Sequence, residues 1–176
     1  QMFMRIPYVI QEVVSGEIDE ETLGGAESHS SRSGIACLVA DDEHDAINIA
    51  AEILGYLPDH TLAEPLNVKS GDEWNRSSKK LEDIVPSDSN KPYDMSEVIS
   101  EVVDEGRFME LFPSYAENIL IGFARLDGQS IGIVANQPKV LAGCLDIDSS
   151  VKAARFIRTC DIFNIPVGTV KDVSGL

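Results

Sequence analysis

The first third of the chain alternates short apolar segments with glycine and polar breaks. The spacing of apolar residues after Pro7 predicts a short helix that runs to Val14. A further helical turn is expected from Asp19 to Leu23. The Gly24-Gly25 pair ends it, because glycine adopts backbone angles that are closed to other residues.

A continuous apolar run, residues 35–40, is typical of a strand that is covered on both faces. It leads into a helix for which Asp42 is the predicted N-cap, with Asp45 three positions on. One face of this helix is apolar, and Pro58 ends it; the apolar stripe consists of Ile47, Ala50, Ala51, Leu54 and Leu57. A strand followed by a helix indicates an α/β layer.

Residues 58–92 lose this periodicity and are rich in Pro, Asp, Ser, Asn and Lys. Their apolar anchors are few: Trp74, Leu81, Ile84 and Val85. This composition favours an ordered connector between two domains.

The second half opens with a pair of acidic residues, Asp94 and Glu97, at capping-box spacing. An apolar stripe follows, which predicts a helix to about Glu105: Met95, Val98, Ile99, Val102 and Val103. Strands are expected at residues 108–112, 118–126 and 130–136. Asp127-Gly128 between the last two predicts a hairpin.

After a loop at Gln137-Pro138, Ser149 or Ser150 is the predicted N-cap of another helix. Its buried face is predicted to carry Ala153, Phe156, Ile157, Cys160 and Phe163. A strand at residues 165–173 returns the chain to the sheet. Two strands, a helix and another strand form a ββα unit in an α/β fold.

The overall charge excludes some classes of partner. Thirty acidic and fourteen basic residues give a formal net charge of −16, which repels phosphate backbones and anionic lipid surfaces. Because of this charge, a nucleic-acid partner is not expected. A membrane is not expected either, since no apolar stretch approaches the ~18 residues that span a bilayer. The first residues do not resemble a secretion signal, so a cytoplasmic location is expected.

Cysteine and histidine positions give no sign of a metal site or a disulfide framework. Cys37, Cys144 and Cys160 lie far apart inside apolar runs, which favours buried, reduced thiols. The three histidines have no partner at zinc spacing, so no metal is predicted.

Several segments resemble, in order and spacing, the carboxyltransferase β-subunits of biotin-dependent acyl-CoA carboxylases of the propionyl-CoA carboxylase kind. The matching segments are LGGAESH at 23–29, PYDM at 92–95, NILIGFAR at 118–125, GIVANQP at 132–138, LDIDSS at 145–150, KAARF at 152–156 and CDIFNIP at 160–166. The resemblance covers essentially the whole chain. It implies a crotonase-like ββα superhelix, with parts of two such domains joined by a linker.

The resemblance also implies an organisation and an activity. Residues 1–57 would be the end of an acyl-CoA-binding domain, 58–92 the linker, and 93–176 the start of a biotin-binding domain. The subunit would transfer a carboxyl group from carboxybiotin to the α carbon of propionyl-CoA or acetyl-CoA. It would form a homo-oligomer, a hexamer in the family, with a biotin carboxylase subunit and a biotin carrier domain as partners.

This chemistry needs few catalytic side chains. It depends on stabilising the thioester enolate and the biotin oxyanion, which paired backbone N–H groups at glycine-rich helix starts achieve. In the family both turns lie outside the segment that resembles this chain. No catalytic residue is therefore assigned, and the isolated chain is expected to be inactive.

Two segments are candidates for substrate binding. Gly24, Gly25, Ala26 and His29 resemble the segment near the acyl-CoA pocket, although a purely structural turn is an equal alternative. Asn136, Gln137 and Pro138 follow a strand, where pocket loops are common, with a structural role as the alternative.

Charged residues near the last helix have structural interpretations. Lys152, Arg155 and Arg158 form a basic stripe for which a solvated helix face is favoured over a contact with phosphate or carboxylate. Asp146 and Asp148 are assigned to capping and the loop rather than to proton transfer.

Three other functions are alternatives to the carboxylase subunit. A biotin-dependent decarboxylase or transcarboxylase subunit shares its fold and enolate chemistry. A non-catalytic interaction module is the alternative of a different class. An enoyl-CoA hydratase is disfavoured, because the expected pair of glutamates is absent from the hairpin and helix.

Overall fold

The computed structural model describes residues 9–10, 19–88 and 91–172. Its helices are α1 (Glu20–Gly24), a π-helix (Ser28–Arg32), α2 (Glu43–Leu54), α3 (Lys80–Ile84), α4 (Met95–Val102) and α5 (Ile147–Ile162). Short 3₁₀ turns lie at Asp104–Gly106 and Leu141–Gly143. The helix predicted between Pro7 and Val14 lies outside the described residues, except for Val9 and Ile10, which are helical.

Aspartate side chains cap the three longer helices. Asp42 accepts a hydrogen bond from the Asp45 amide at the start of α2, as predicted. Asp94 caps α4, but it bonds the Ser96 amide and not that of Glu97, and α4 ends three residues before the predicted boundary. At α5 the predicted serine cap is wrong: Asp146 is the N-cap, and Ser149 completes a reciprocal capping box.

The four strands form one sheet in the order β1 (Met109–Leu111), β2 (Ile119–Leu126), β3 (Gln129–Asn136) and β4 (Val167–Val170). β1 and β3 pair antiparallel with β2, and β4 pairs parallel with β3. The predicted hairpin is confirmed, because Asp127 and Gly128 have φ angles of 50° and 79°, the combination that a type I′ turn needs. α5 supplies the crossover between β3 and β4.

Both faces of this sheet are covered. One face packs against α5 through a cluster that consists of Tyr56, Leu111, Ile119, Ile121, Phe123, Val134, Phe156, Cys160 and Ile165. The other face packs against α4 through Met95, Ile99, Val103, Leu120, Ala124, Ile131, Ile133 and Ala135. Successive residues of β2 and β3 therefore enter different clusters, because strand side chains alternate between the two faces.

The apolar stripe predicted for α2 is covered at Leu57 and exposed at its other positions. Ile47 and Leu54 are each 66% exposed, whereas Leu57 and its neighbour Ile53 pack against the cluster that contains Phe123. Helical periodicity predicts that one face is apolar, but only a neighbouring element decides which face is covered. α2 rests on the sheet through its C-terminal end and Tyr56.

The strand predicted at residues 35–40 is wrong. This segment has no regular structure, and Ile35 and Val39 are 59% and 52% exposed. One backbone hydrogen bond joins it to the sheet region, from the Phe112 amide to the Cys37 carbonyl oxygen at 2.9 Å. A strand needs a ladder of such bonds with a neighbour, and the described residues supply a single one.

The connector is ordered by contacts with the second half of the chain. The Arg76 guanidinium donates to the carbonyl oxygens of Glu101, Val102 and Val103 at 3.0, 3.1 and 2.5 Å. These are carbonyl groups that the end of α4 leaves without partners inside the helix. Of the predicted anchors, Leu81 and Ile84 are half-buried, whereas Trp74 is 84% exposed.

None of the helices in the described part of the chain has the length and apolar character that crossing a lipid bilayer requires. Within the same residues, His, Cys, Asp and Glu side chains do not gather into a group that could hold a metal ion.

Candidate functional site

An apolar cavity of about 290 Å³ lies between the end of α2, strand β1 and helix α5. It is lined by Gly34, Cys37, Ile53, Leu57, Leu111, Phe112, Tyr115, Phe123, Val151, Lys152, Arg155, Phe156 and Thr159. Its two charged residues, Lys152 and Arg155, are both basic. In a chain of net charge −16, the charged residues that line this apolar cavity are both cations.

Lys152 lies on the buried face of α5 with 4% of its surface exposed. Its ammonium group donates to backbone carbonyl oxygens of Phe112, Tyr115, Ala116 and Ile119 at 2.8, 2.7, 3.3 and 2.9 Å. An ammonium has three hydrogens, so these four oxygens occupy all its donors. It is not free to bind a ligand directly.

The solvated basic stripe predicted for α5 is therefore wrong at Lys152, although Arg155 and Arg158 are exposed. Burial lowers the pKa of Lys152 to about 8, while the carboxylates of Glu110 and Glu117 act in the opposite direction. The spacing of residues in the sequence indicates this burial of Lys152. Lys152 lies three positions after Ser149 and four before Phe156, which places it on the buried face of the helix.

Cys37 lines the same cavity and is half-buried. Burial raises the pKa of its thiol, so the neutral form predominates at neutral pH. A neutral thiol is a poor nucleophile, which argues against a catalytic role. The predicted burial holds for Cys160 but is wrong for Cys144, which is exposed; all three cysteines are free.

The first predicted binding segment forms the end of α1 and the π-helix. Gly24 is buried at the end of α1, and the Gly25 amide donates to the Glu21 carbonyl oxygen. His29 Nδ1 lies 3.0 Å from Ser33 Oγ, and the His29 carbonyl oxygen accepts from the amides of residues 35 and 36. Gly24, Gly25, Ala26 and His29 do not line the cavity, whereas Gly34, two residues after the π-helix, does.

The second predicted segment lies at the end of β3, and Asn136 and Gln137 are buried there. The Gln137 side chain accepts from the Met95 amide at 3.1 Å and donates to Asp94 at 2.8 Å. Pro138, half-buried, follows directly. Gln137 thereby joins the end of β3 to the start of α4.

Asn136 makes a second junction of this kind. Its side-chain oxygen accepts from the Asp172 amide at 2.8 Å, and its side-chain nitrogen donates to the Asp172 carbonyl oxygen. The Tyr93 hydroxyl donates to the Asp172 carboxylate at 2.8 Å. Burial, together with this carboxylate, raises the pKa of Tyr93 to about 12. These contacts hold the chain after β4 next to β3.

In the second half of the chain, aspartate side chains already accept hydrogen bonds from backbone amides at the starts of α4 and α5. The amides of Ser96 and Ser149, at the first turns of α4 and α5, donate to their capping aspartates. These amides are not available as an oxyanion-binding pair. The hydrogen bonds of Asn136 and Gln137 therefore join elements of the fold, and no catalytic group is assigned among the described residues.

The comparison with protein families gives a match along the entire chain, because the model of the Carboxyl transferase domain covers residues 1–176. Methylmalonyl-CoA decarboxylase subunit alpha of Veillonella parvula is 49% identical over 99% of this chain and 34% of its own length. The propionyl-CoA carboxylase carboxyltransferase subunit of Haloferax mediterranei is 47% identical over 99% and 34%. The human mitochondrial propionyl-CoA carboxylase beta chain is 45% identical over 99% and 32%.

Solved structures agree with these relatives. The transcarboxylase 12S, described as a hexamer assembly with hydrolysed methylmalonyl-coenzyme A bound, superposes with a TM-score of 0.89 at 41% identity, over 99% of this chain and 35% of that chain. A single-chain, multi-domain long-chain acyl-CoA carboxylase superposes with a TM-score of 0.79 at 27% identity, over 99% and 16%. The predicted α/β crotonase-like fold is confirmed. The chain spans about a third of the length of the curated relatives named above, and it belongs to the carboxyl transferase domain family.

Proposed function

We propose that the chain is the central part of a carboxyltransferase subunit that moves a carboxyl group between carboxybiotin and the α carbon of an acyl-CoA. The observation that supports this most strongly is the unbroken match of residues 1–176 to the Carboxyl transferase domain. A single shared motif could arise by chance, but an identity of 41–49% over 99% of the chain, in decarboxylase, carboxylase and transcarboxylase subunits, could not.

Propionyl-CoA is the substrate we propose first, with acetyl-CoA second. Support comes from the carboxylase relatives, which are named for propionyl-CoA. The relative that is 49% identical is a methylmalonyl-CoA decarboxylase subunit, which favours the reverse direction as the second candidate function. Carboxylation of propionyl-CoA and decarboxylation of methylmalonyl-CoA pass through the same enolate.

The site assignments follow from this proposal. The segment with Gly24, Gly25, Ala26 and His29 would border the acyl-CoA. Asn136, Gln137 and Pro138 lie in the half assigned to carboxybiotin, where their internal hydrogen bonds favour shaping the site over touching the ligand. The division into residues 1–57, 58–92 and 93–176 stays a prediction.

Biotin would be bound covalently to a separate carrier domain and would supply the activated carboxyl group. This chain's described helix-start amides at α4 and α5 are already capped, so they do not fit the biotin oxyanion. The 176 residues alone are therefore expected to be inactive. Partners would be further copies of the subunit and a biotin carboxylase with its carrier, in the cytoplasm.

The experiment compares the 176-residue chain with the full-length subunit encoded by the same gene. Each is mixed with a biotinylated carrier and biotin carboxylase, and ATP-dependent transfer of ¹⁴C-bicarbonate to propionyl-CoA and acetyl-CoA is measured. A reaction without the carrier is the control. We expect carrier-dependent labelling of propionyl-CoA by the full-length subunit only.

Other outcomes separate the alternatives. Carrier-dependent loss of CO₂ from methylmalonyl-CoA, without carboxylation, would make the protein a decarboxylase subunit. Activity of the 176 residues alone would show that the chain contains its own oxyanion-binding amides. A full-length subunit inactive in both directions would contradict the proposal and favour a non-catalytic module.

A further inference from the structure

We propose that Lys152 is a positioning residue. Its positive charge holds the β1–β2 connection, residues 112–118, in the backbone conformation that contacts the first half of the chain. The geometry of its ammonium group points to this role. Four carbonyl oxygens, from Phe112, Tyr115, Ala116 and Ile119, lie within 2.7–3.3 Å of Lys152 Nζ.

The backbone conformation of the β1–β2 connection is intrinsically unfavourable, and Lys152 stabilises it. Phe112 and Ala116 have φ angles of 54° and 46°, in the left-handed region that residues with a side chain rarely adopt. Both carbonyl oxygens point at Lys152 Nζ. Four carbonyl dipoles aimed at one point repel each other unless a positive charge lies between them, so the ammonium acts as a bound metal cation would.

The same connection carries two of the contacts with the first half of the chain. The Phe112 amide donates to the Cys37 carbonyl oxygen at 2.9 Å. Gly34 has a φ angle of +58°, and a Cβ placed there would lie 2.7 Å from the Tyr115 ring. The segment around Gly34 and Cys37 therefore rests directly on backbone that Lys152 holds in place.

This contact lies where the two predicted domain pieces meet. Under the proposed function, on which this step rests, the first piece would hold acyl-CoA and the second carboxybiotin. A change in the β1–β2 connection would then change how the two substrates are aligned. Loss of alignment lowers the rate of the chemical step more than it weakens binding of either substrate.

The environment of Lys152 predicts that pH affects this connection. Burial lowers the pKa of Lys152 to about 8, and Glu110, Glu117 and Cys37 act in the opposite direction. Two other charged or titratable groups, Tyr115 and Arg155, line the same cavity. A neutral amine has two hydrogens and a lone pair that faces the carbonyl oxygens, so its hold on the connection weakens as the pH rises through 8.

The test is hydrogen–deuterium exchange with mass spectrometry on the full-length subunit, as wild type, Lys152→Met and Lys152→Arg. Methionine keeps the apolar stem and removes the charge, whereas arginine keeps a charge in a larger, planar group. We expect Lys152→Met to lower the protection of amides in residues 112–119 by about tenfold, the equivalent of one net hydrogen bond. Protection in β3 should stay at the wild-type level.

Lys152→Arg should give an intermediate loss confined to the same residues. Protection of residues 112–119 in the wild type, corrected for intrinsic exchange, should fall between pH 7 and 9, and in Lys152→Arg it should not. Wild-type protection in Lys152→Met would overturn the proposal. If Lys152→Met does not fold, a loss in Lys152→Arg that spreads evenly over β2, β3 and α5 would overturn it.

Gly34→Ala tests the contact from the other side. We expect it to lower protection of residues 112–119 and, in the carboxylation assay, to lower kcat with KM for acyl-CoA little changed, as in Lys152→Met. The exchange data do not depend on activity. An inactive wild-type subunit would therefore contradict the proposed function, while the exchange pattern would still decide the role of Lys152.

Discussion

The sheet of the second half and helix α2 of the first half carry apolar patterns of similar regularity, yet only the sheet buries them. Phe123 in β2 is 2% exposed, whereas Leu54 in α2 is 66% exposed. β2 and β3 each pair with two neighbours in the sheet and have a helix on both faces, because they lie between α4 and α5. Among the described residues, Ile53 near the C-terminal end of α2, followed by Tyr56 and Leu57, packs with the cluster on the sheet.

This difference shows that an apolar stripe predicts secondary structure more reliably than burial. The stripe on α2 correctly predicts a helix, but burial needs a second surface. An exposed apolar stripe of this kind is a surface on which association can occur. Three substitutions, each with a matched control, test how much individual residues contribute to the free energy of unfolding.

The largest effect is expected at Phe123. Its ring lies 5.7 Å from that of Tyr56 and 5.2 Å from that of Phe156, in the cluster that joins the sheet to α5. Phe123→Ala should lower the free energy of unfolding by about 3–5 kcal/mol, because it leaves a cavity that the neighbours cannot fill. Urea unfolding of the 176-residue chain, followed by circular dichroism at low concentration, measures this change.

Leu54→Ala is the matched control for Phe123→Ala, since it also truncates a large apolar side chain. Its expected change is within about 0.5 kcal/mol, because the side chain is already in solvent. Equal losses at the two positions would mean that α2 is covered in solution, and light scattering would then show association.

A smaller effect is expected at a glycine of the sheet. Gly122 in β2 lies so close to the Met109 carbonyl oxygen and the Glu110 Cα that an added Cβ has no room. Gly122→Ala should therefore force β1 away from β2 and cost about 2 kcal/mol in urea unfolding.

Gly71→Ala in the connector is the comparison for Gly122→Ala. The nearest atom to its added Cβ is Glu105 Oε1 at 3.8 Å, which is an ordinary contact. We expect a change within about 0.5 kcal/mol of zero. A loss at Gly71 as large as that at Gly122 would show that the connector packs as tightly as the sheet.

The smallest effect concerns Asp94, the N-cap of α4. Burial raises the pKa of its carboxyl group, but hydrogen bonds from Ser96, Gln137 and Lys139 outweigh this and lower it to about 2. Because the pKa is lower in the folded than in the unfolded chain, the carboxylate adds stability above pH 4. This contribution is lost as the pH falls towards 2.

Asp94→Ala should therefore cost about 1 kcal/mol at pH 7, and the difference from wild type should shrink between pH 4 and pH 2. The measurement is the urea midpoint as a function of pH. Asp94→Asn is the control, since it keeps a capping oxygen without the charge and should lose less. A wild-type advantage that stays constant down to pH 2 would contradict the assignment.

The α/β class, the crotonase-like fold, the hairpin and the hydrophobic residues of β2 and β3 follow from the sequence. Strand alternation, the Asp127-Gly128 turn and the family motifs are local signals that need no knowledge of distant residues. The starts of α2 and α4 follow for the same reason, because a cap and its amide lie within three positions.

Other features depend on parts of the chain that are distant in sequence. Residues 35–40 are apolar enough for a strand but have one hydrogen bond to the sheet instead of a ladder. The sequence predicts that Lys152 is a solvated cation, yet its ammonium group binds carbonyl oxygens of residues that lie 33–40 positions earlier in the sequence. The sequence predicts that Asn136 and Gln137 lie at the end of a strand. It does not predict that they form hydrogen bonds with Asp172 and Asp94.

By itself, the sequence determined the hairpin and the longer helices, because turns, caps and apolar spacing act over a few residues. Only the tertiary structure decided which apolar faces are covered and where the buried charge of Lys152 finds its partners. Burial and the pairing of buried polar groups depend on which distant segments meet, and the free energy of those contacts belongs to the pair of surfaces rather than to either segment.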